Sequence, residues 1–387
     1  MTRQKKLAFI AAYSGIFIFG ICAVSVGLIL PDVVTKYSIN EIEAGVVASL
    51  LPFGILAGSF FFGPVVDRYG YKYLLIFSVL AVMLALEGIA FSKSLFIIKS
   101  SVFIIGFGGG ILNGSTSALV SDISDGNRGA NLSVLGVFFG IGAFGMPLLI
   151  GLLSKIFLGN EIIAFIGYVL FIPVVYFFFI SFPKPKMARQ FPLKEFLQMT
   201  KDPVIILIGV FLFFQSGVEG ISNSWTTTYL RDVVVTEKEQ ALFALSALVL
   251  SLTLTRIVLG YILRKISPAI IQYISVCLAA AGAFVLMFFS TYGLTMLGLV
   301  ILGAGLASGF PVLLGYVGEL YKEMSGIAFS FVMVIALIGN MIINYLMGVI
   351  AQVGGMKHFP SLLFYCFIIM LIIFYFVAKK LSLKIKV

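Results

Sequence analysis

Glu219 stands in an apolar stretch that runs from Pro203 to Leu230, within "GVFLFFQSGVEGISNSWTTTYLRD", residues 209 to 232. Gln215, Glu219, Ser222 and Thr226 fall at i, i+4, i+7 and i+11, so on a helix they form one polar stripe. An acid inside a membrane is costly and functional by default. Desolvation penalises the charged form of an unpaired carboxylate, which suits Glu219 to carrying a proton. A plainer reading competes, in which a permanently protonated Glu219 bonds to Gln215 and ties helices together. The chain's only tryptophan, Trp225, offers a flat face and one N–H donor, suited to stacking on a sugar ring or holding a cation. It suits equally an anchor at the membrane interface. Asn113, and Asn340 with Asn344 one turn on, are amides that both donate and accept, fit for hydroxyl-rich solutes or for bonds between helices.

Glu219 lies sixteen residues beyond Pro203, about 24 Å along a helix. Arg256 is the one arginine inside an apolar span, about 11 Å from that same side of the membrane. The difference of roughly 13 Å predicts that the two do not pair and that Arg256 snorkels to the side it lies nearer, the cytoplasm. Glu87, near the far end of its span, carries less weight and reads as structural. His358 is the only histidine, and Cys22, Cys277 and Cys366 each fall inside a predicted helix, so neither a metal site nor a disulfide framework is expected. No P-loop or nucleophile motif appears, which disfavours an ATP-driven pump or an enzyme, and no cofactor or catalytic residue is expected.

The elements that hold these residues follow from composition. Of 387 residues, 61% are hydrophobic and 11% charged, which places the chain in a lipid bilayer. Spans of about 20 apolar residues are expected at roughly 7–30, 43–66, 73–91, 97–120, 131–154, 162–181, 203–229, 241–263, 269–289, 294–318, 326–350 and 361–379. The first is too long for a signal peptide and is expected to stay. Twelve crossings put both ends on one side. The terminal side holds 18 basic residues and the other side 7, with Arg256 within a span. By the positive-inside rule both termini face the cytoplasm of a multi-pass cell-membrane protein. The net charge of +10 is thus a topology signal and not a nucleic-acid footprint.

Offsetting the chain against itself by 197 residues pairs Gly63 with Gly260, Gly106 with Gly303, Gly142 with Gly339 and Asp122 with Glu319. The chain therefore reads as two six-helix halves, residues 1–181 and 203–387, joined by a polar linker over 182–202 with Pro183, Pro185 and Pro192. The turn "GPVVDRYGYK" carries Gly63, Asp67, Arg68, Gly70 and Lys72. Gly63 permits close helix approach, Asp67 can cap a neighbouring helix, and Arg68 with Lys72 can pair with Asp122 at the end of the fourth span. The related turn "GYILRK" lacks the acid, which predicts an asymmetric lock. The fifth span, "GVFFGIGAFGMPLLIG", is accounted for by small-residue packing, since Met146 separates its Gly145 and Pro147.

The turn "GPVVDRYGYK" resembles the signature loop of the major facilitator superfamily, and parallel six-span repeats are that family's architecture. "GVEGISNSWTTTYL", "AVSVGLILPD" and "GFGGGILNGSTSALVSD" are similar to spans 7, 1 and 4 of its fucose permease-like branch. The resemblance implies an all-α fold of twelve transmembrane helices that moves a small polar solute by alternating access, with the site between the halves. It implies a sugar taken up with protons, and a monomer with no partner but substrate, protons and lipid. The solute contacts expected are Asn113, Gln215, Glu219, Ser222, Trp225, Asn340 and Asn344, and the proton site is Glu219. Carboxylates common to that branch in spans 1 and 4 are replaced here by Gly27 and Asn113, which leaves Glu219 as the candidate. Efflux of amphipathic or cationic compounds is the competing reading.

Overall fold

Hydrocarbon offers the backbone no hydrogen-bond partner, so a spanning segment must satisfy its own N–H and C=O groups, and apolar runs of this length do so as helices. The computed structural model describes residues 3–39, 41–153, 156–185 and 193–384. Among them there is no strand. The helices are α1 (Arg3–Tyr37), α2 (Glu41–Tyr69), α3 (Tyr71–Phe91), α4 (Leu95–Ile123), α5 (Arg128–Leu153), α6 (Gly159–Val169), α7 (Phe171–Phe179), α8 (Leu193–Lys201), α9 (Pro203–Tyr229), α10 (Lys238–Ile262), α11 (Pro268–Phe288), α12 (Tyr292–Leu306), α13 (Gly309–Leu320), α14 (Ser325–Gly354) and α15 (Phe359–Lys384). They make twelve spans long and apolar enough to cross a bilayer, and the chain is a multi-pass membrane protein.

Two spans are broken. The sixth is α6 plus α7 and the tenth is α12 plus α13. Each break lies four residues before a proline, Val169–Leu170 before Pro173 and Ala307–Ser308 before Pro311, where the ring displaces the i−4 carbonyl and removes its donor. Several helices outrun the expected spans, α1 to Tyr37 and α14 to Gly354, because a helix can continue into the headgroup layer after its hydropathy has fallen. The segment expected as a plain linker holds the short helix α8 next to α9; residues 186–192 lie outside the described residues.

The chain forms two compact units. The first comprises Met1–Asp125, Leu135–Pro192 and Tyr321–Ser330; the second comprises Gly126–Val134, Leu193–Leu320 and Phe331–Val387. The first turns of α5 and α14 thus each belong to the unit built mainly from the other half of the sequence. Inside the first unit α2 and α4 meet along a glycine seam: a Cβ on Gly54 would strike the Phe103 carbonyl, and one on Gly106 the Leu51 carbonyl. The second unit repeats the second contact at the 197-residue offset, Gly303 against the Leu248 carbonyl. Without water to squeeze out, helices in a membrane gain by such close van der Waals approach.

This seam yields an expectation for stability. Gly106→Leu should cost about 2 kcal/mol or more by overpacking against backbone that cannot yield. Gly293→Ala, where a Cβ meets nothing within 4 Å, should be neutral or slightly stabilising. Apparent melting temperatures of the purified variants in one detergent test the contrast.

Candidate functional site

Helix α9 starts on Asp202, whose carboxylate accepts from Val204 N at 2.9 Å, with Pro203 in the first turn. Four turns on, the polar stripe meets neighbouring helices. Gln215 is 2% exposed. Its Nε2 donates to Glu219 Oε1 at 2.7 Å and to the Leu306 carbonyl at 3.0 Å. Leu306 ends α12, so its carbonyl is among those that a helix terminus leaves open, and Pro311 creates that terminus in mid-span. Gly309, just past the break, leaves room for the Gln215 side chain.

Glu219 retains partial exposure, 19% of its side chain. Contrary to the depth count, Arg256 does not snorkel away from it. Arg256 Nη2 lies 3.8 Å from Glu219 Oε1, and Arg256 is 8% exposed. The count compared Cα levels and took both helix ends as level, whereas two long side chains reach toward each other across that difference. The guanidinium Nε is buried with no hydrogen-bond partner among the described residues.

Ser222, expected to touch solute, is instead fully buried, and its Oγ finds no partner among the described residues. Thr226, also buried, turns its Oγ1 back to the Ser222 carbonyl at 2.6 Å. The stripe is therefore partly exposed at Glu219 and buried on both sides of it, at Gln215 and at Ser222 and Thr226. Trp225 Nε1 donates to Asn344 Oδ1 at 3.3 Å, which holds the indole to α14. Asn344 Nδ2 donates to the Asn340 carbonyl and Oδ1 at 2.9 and 3.1 Å, and Asn340 Nδ2 to the Ser216 carbonyl at 2.8 Å. Gly220 brings α9 and α14 this close, since a Cβ there would stand 2.5 and 2.6 Å from the two amide nitrogens. Gln215, Glu219, Trp225, Asn340 and Asn344 are thus brought together in the second unit. Asn113 is half-buried on α4 of the first unit.

The residues of the signature turn gather at the start of α14. Asp67, 1% exposed, accepts from Gly326 N at 3.1 Å and Ile327 N at 2.9 Å, so a carboxylate fills the positive end of that helix. Gly63 lets α14 approach: a Cβ would lie 2.6 Å from the Gly326 carbonyl oxygen. Gly70 takes φ +80°, a left-handed turn that ends α2. Asp122 accepts from Ser325 Oγ at 2.7 Å and from the Tyr71 hydroxyl. The expected pairing of Arg68 or Lys72 with Asp122 is not formed. Their cations sit over the rings of Tyr69 and Phe178, at 5.2 and 5.3 Å, and hydroxyls occupy Asp122 instead. Sequence reasoning missed the matching cluster at the start of α5, where Arg128 pairs with Glu319 and Arg264 Nη2 donates to Asn131 Oδ1 at 2.9 Å. The offset that pairs Asp122 with Glu319 could have pointed to it.

A model of the Major Facilitator Superfamily matches residues 12–301. The glucose/mannose transporter GlcP of Bacillus subtilis is 23% identical over 351 residues, 88% of this chain and 87% of that protein. A TsgA homolog of Buchnera aphidicola is 24% identical over 233 residues; the match spans 60% of this chain and 59% of the relative's length. The fold is shared with the transporter FucP in its outward conformation, at TM-score 0.82 and 15% identity over 97% of this chain and 99% of that one. It is shared also with the proton:xylose symporter XylE, at TM-score 0.81 and 11% identity over 97% and 95%. A family model that accounts for most of the chain, together with twelve spans in the same fold, decides the assignment: the chain belongs to the major facilitator superfamily, whose members are transporters and not enzymes.

Proposed function

We propose that this chain takes up a small polar solute, a sugar, together with protons, by alternating access across the cell membrane. The observation that carries the proposal is the cluster of Gln215, Glu219 and Arg256 beside Trp225, Asn340 and Asn344. Glu219 is the acid within a web of neutral donors and acceptors, and a carboxylate next to a guanidinium has two stable arrangements. Ionised, it pairs with Arg256; protonated, it leaves Arg256 free to turn to another acceptor and can itself donate to a solute hydroxyl. A proton and a solute bound on one side would thus alter the same bonds, which is what coupling requires. The names of the relatives, a glucose/mannose transporter, a fucose:proton symporter and a proton:xylose symporter, agree with this substrate class. Efflux of cationic compounds is less well supported, because Arg256 already faces the acid that would attract them.

Two further readings belong to the same proposal. The chain works as two six-helix halves, residues 1–181 and 203–387, with both termini and the segment 182–202 in the cytoplasm. The residues Gly63, Asp67, Arg68, Gly70, Lys72 and Asp122 form a lock at that side, in which Asp67 and Asp122 hold α14 when the transporter faces outward and release it when it faces inward.

For the orientation, a cysteine placed at Lys184 in a chain free of Cys22, Cys277 and Cys366 should react with an impermeant maleimide in inverted vesicles only. Labelling from outside intact cells would reverse the orientation. For the lock, Asp67→Asn keeps one acceptor oxygen but loses the charge at the helix N-terminus, an effect of about 1 kcal/mol that should slow uptake roughly fivefold. Half-saturation should stay near wild type, since Asp67 touches no solute. Uptake at the full rate by a normally inserted variant would refute the lock.

For coupling, Glu219→Gln keeps the size and the bond with Gln215 but cannot release a proton. Proteoliposomes with an imposed pH gradient and radiolabelled glucose, mannose, fucose or xylose test it. The variant should lose accumulation about tenfold or more while still exchanging labelled for unlabelled solute, because only the differential proton affinity is removed. Accumulation at the wild-type rate would move proton coupling elsewhere.

A further inference from the structure

The two clusters at the starts of α5 and α14 are one interface built twice. In the first unit Ser330 Oγ of α14 donates to the Ser59 carbonyl of α2 at 2.5 Å; Gly63, one turn on, faces α14, and Asp122 takes Ser325. In the second unit Ser133 Oγ of α5 donates to the Arg256 carbonyl of α10 at 2.7 Å; Gly260, one turn on, faces Val134 and the Ala130 carbonyl of α5, and Glu319 takes Arg128. The offset of 197 residues relates Ser133 to Ser330, Ser59 to Arg256, Gly63 to Gly260, Asp122 to Glu319 and Arg128 to Ser325. The latches are equivalent, but the residue whose carbonyl is held differs. In one copy it is a serine. In the other it is the arginine that faces Glu219.

We propose that Ser133 is the positioning residue that ties the docking of α5 on α10 to the protonation of Glu219, acting through Arg256; this rests on the reading of Glu219 as the proton site. Ser133 is fully buried, and its hydroxyl fixes α10 at the residue that bears the guanidinium. Arg256 is held there by its backbone more than by its own bonds. Its Nη2 stands at 3.8 Å from the carboxylate, beyond hydrogen-bond range, and its Nε has no partner among the described residues. Between two largely buried side chains the attraction changes steeply with small changes of distance. When the start of α5 leaves α10, the arginine can shift, and with it the affinity of Glu219 for a proton. Linkage makes the effect reciprocal, so the proton state of Glu219 biases whether α5 stays docked. Besides Arg256, the side chain bonded to the Glu219 carboxylate among the described residues is Gln215 on α9, which does not titrate.

Infrared titration of the chain in lipid vesicles tests this without knowledge of the solute. The readout is the carboxylic C=O band that is present in the wild type and absent in Glu219→Gln. Ser133→Ala should move the midpoint of that band by about 0.5 pH unit or more, a threefold or larger change in proton affinity. Ser133→Thr, which keeps the hydroxyl, should bring the midpoint back toward wild type. Ser330→Ala, at the equivalent latch with no arginine, should leave it in place. Equal midpoints in wild type and Ser133→Ala, or equal shifts in Ser133→Ala and Ser330→Ala, would overturn the inference while Glu219 still titrates and the proton reading stands. Should no band be lost in Glu219→Gln across the titration, the proton reading fails and the inference fails with it. If Ser133→Ala does not insert, the comparison of Ser133→Thr with Ser133→Cys decides on the same criterion, since the thiol is a weak donor and should shift the midpoint.

Discussion

Arg256 is a charge set almost wholly inside a helix bundle, and much of the second unit follows from that constraint. An arginine in an apolar helix bundle needs an anion, an acceptor, or both. The anion is Glu219 on the adjacent α9, which can serve only because α9 carries a polar stripe at helical spacing. The stripe must in turn be satisfied. Gln215 spends its amide on Glu219 and on a carbonyl that is available because α12 ends in mid-membrane. The break at Pro311 is thus part of the same arrangement as the charge pair: a continuous helix would have kept the Leu306 carbonyl for itself.

Close approach is the second requirement, and it is met by the absence of side chains. Gly220 lets Asn340 and Asn344 lie across α9, and Gly309 lets Gln215 reach α12. At the starts of α5 and α14 the same economy brings carboxylates and hydroxyls onto helix ends. Asp67 serves two N–H groups that would otherwise be open at the first turn of α14. Such bonds are strong where they are dry.

Much of this was legible from the residues. The twelve spans and the 197-residue repeat need only hydropathy and spacing, since each residue in lipid is constrained mainly by its own polarity, whereas the signature turn is read through its resemblance to the family's loop. Helix breaks were harder. Breaks precede Pro173 and Pro311, whereas Pro52, Pro64 and Pro147 lie inside unbroken helices, so proline alone does not decide; at the tenth span the open Leu306 carbonyl is taken by Gln215 of another helix. The Glu219–Arg256 pair was misread for a related reason. Depth along a helix locates a Cα, but the meeting of two long side chains depends on the tilt and stagger of their helices, which no single span records. The burial of Ser222, like that of Gln215, was not legible because a polar stripe reveals a face without saying whether solvent or a neighbouring helix covers it.

The repeat also shows where this chain departs from symmetry, and the departures coincide. Position 219 corresponds to Cys22 and position 256 to Ser59, so both members of the charge pair are confined to one copy of the repeat. Asp67 corresponds to Arg264, so the carboxylate that caps α14 has no counterpart at the equivalent position of the other copy. The structural parts, Gly63 with Gly260, Ser330 with Ser133 and Asp122 with Glu319, are kept in both. A duplicated scaffold needs the shared contacts to fold twice, whereas a charge pair can stand in one copy alone. A second acid at position 22 would lack its arginine at position 59, and would leave a buried charge uncompensated. The asymmetry of Glu219 and Arg256 therefore keeps a buried charge and its counter-charge together on one side of a symmetric repeat.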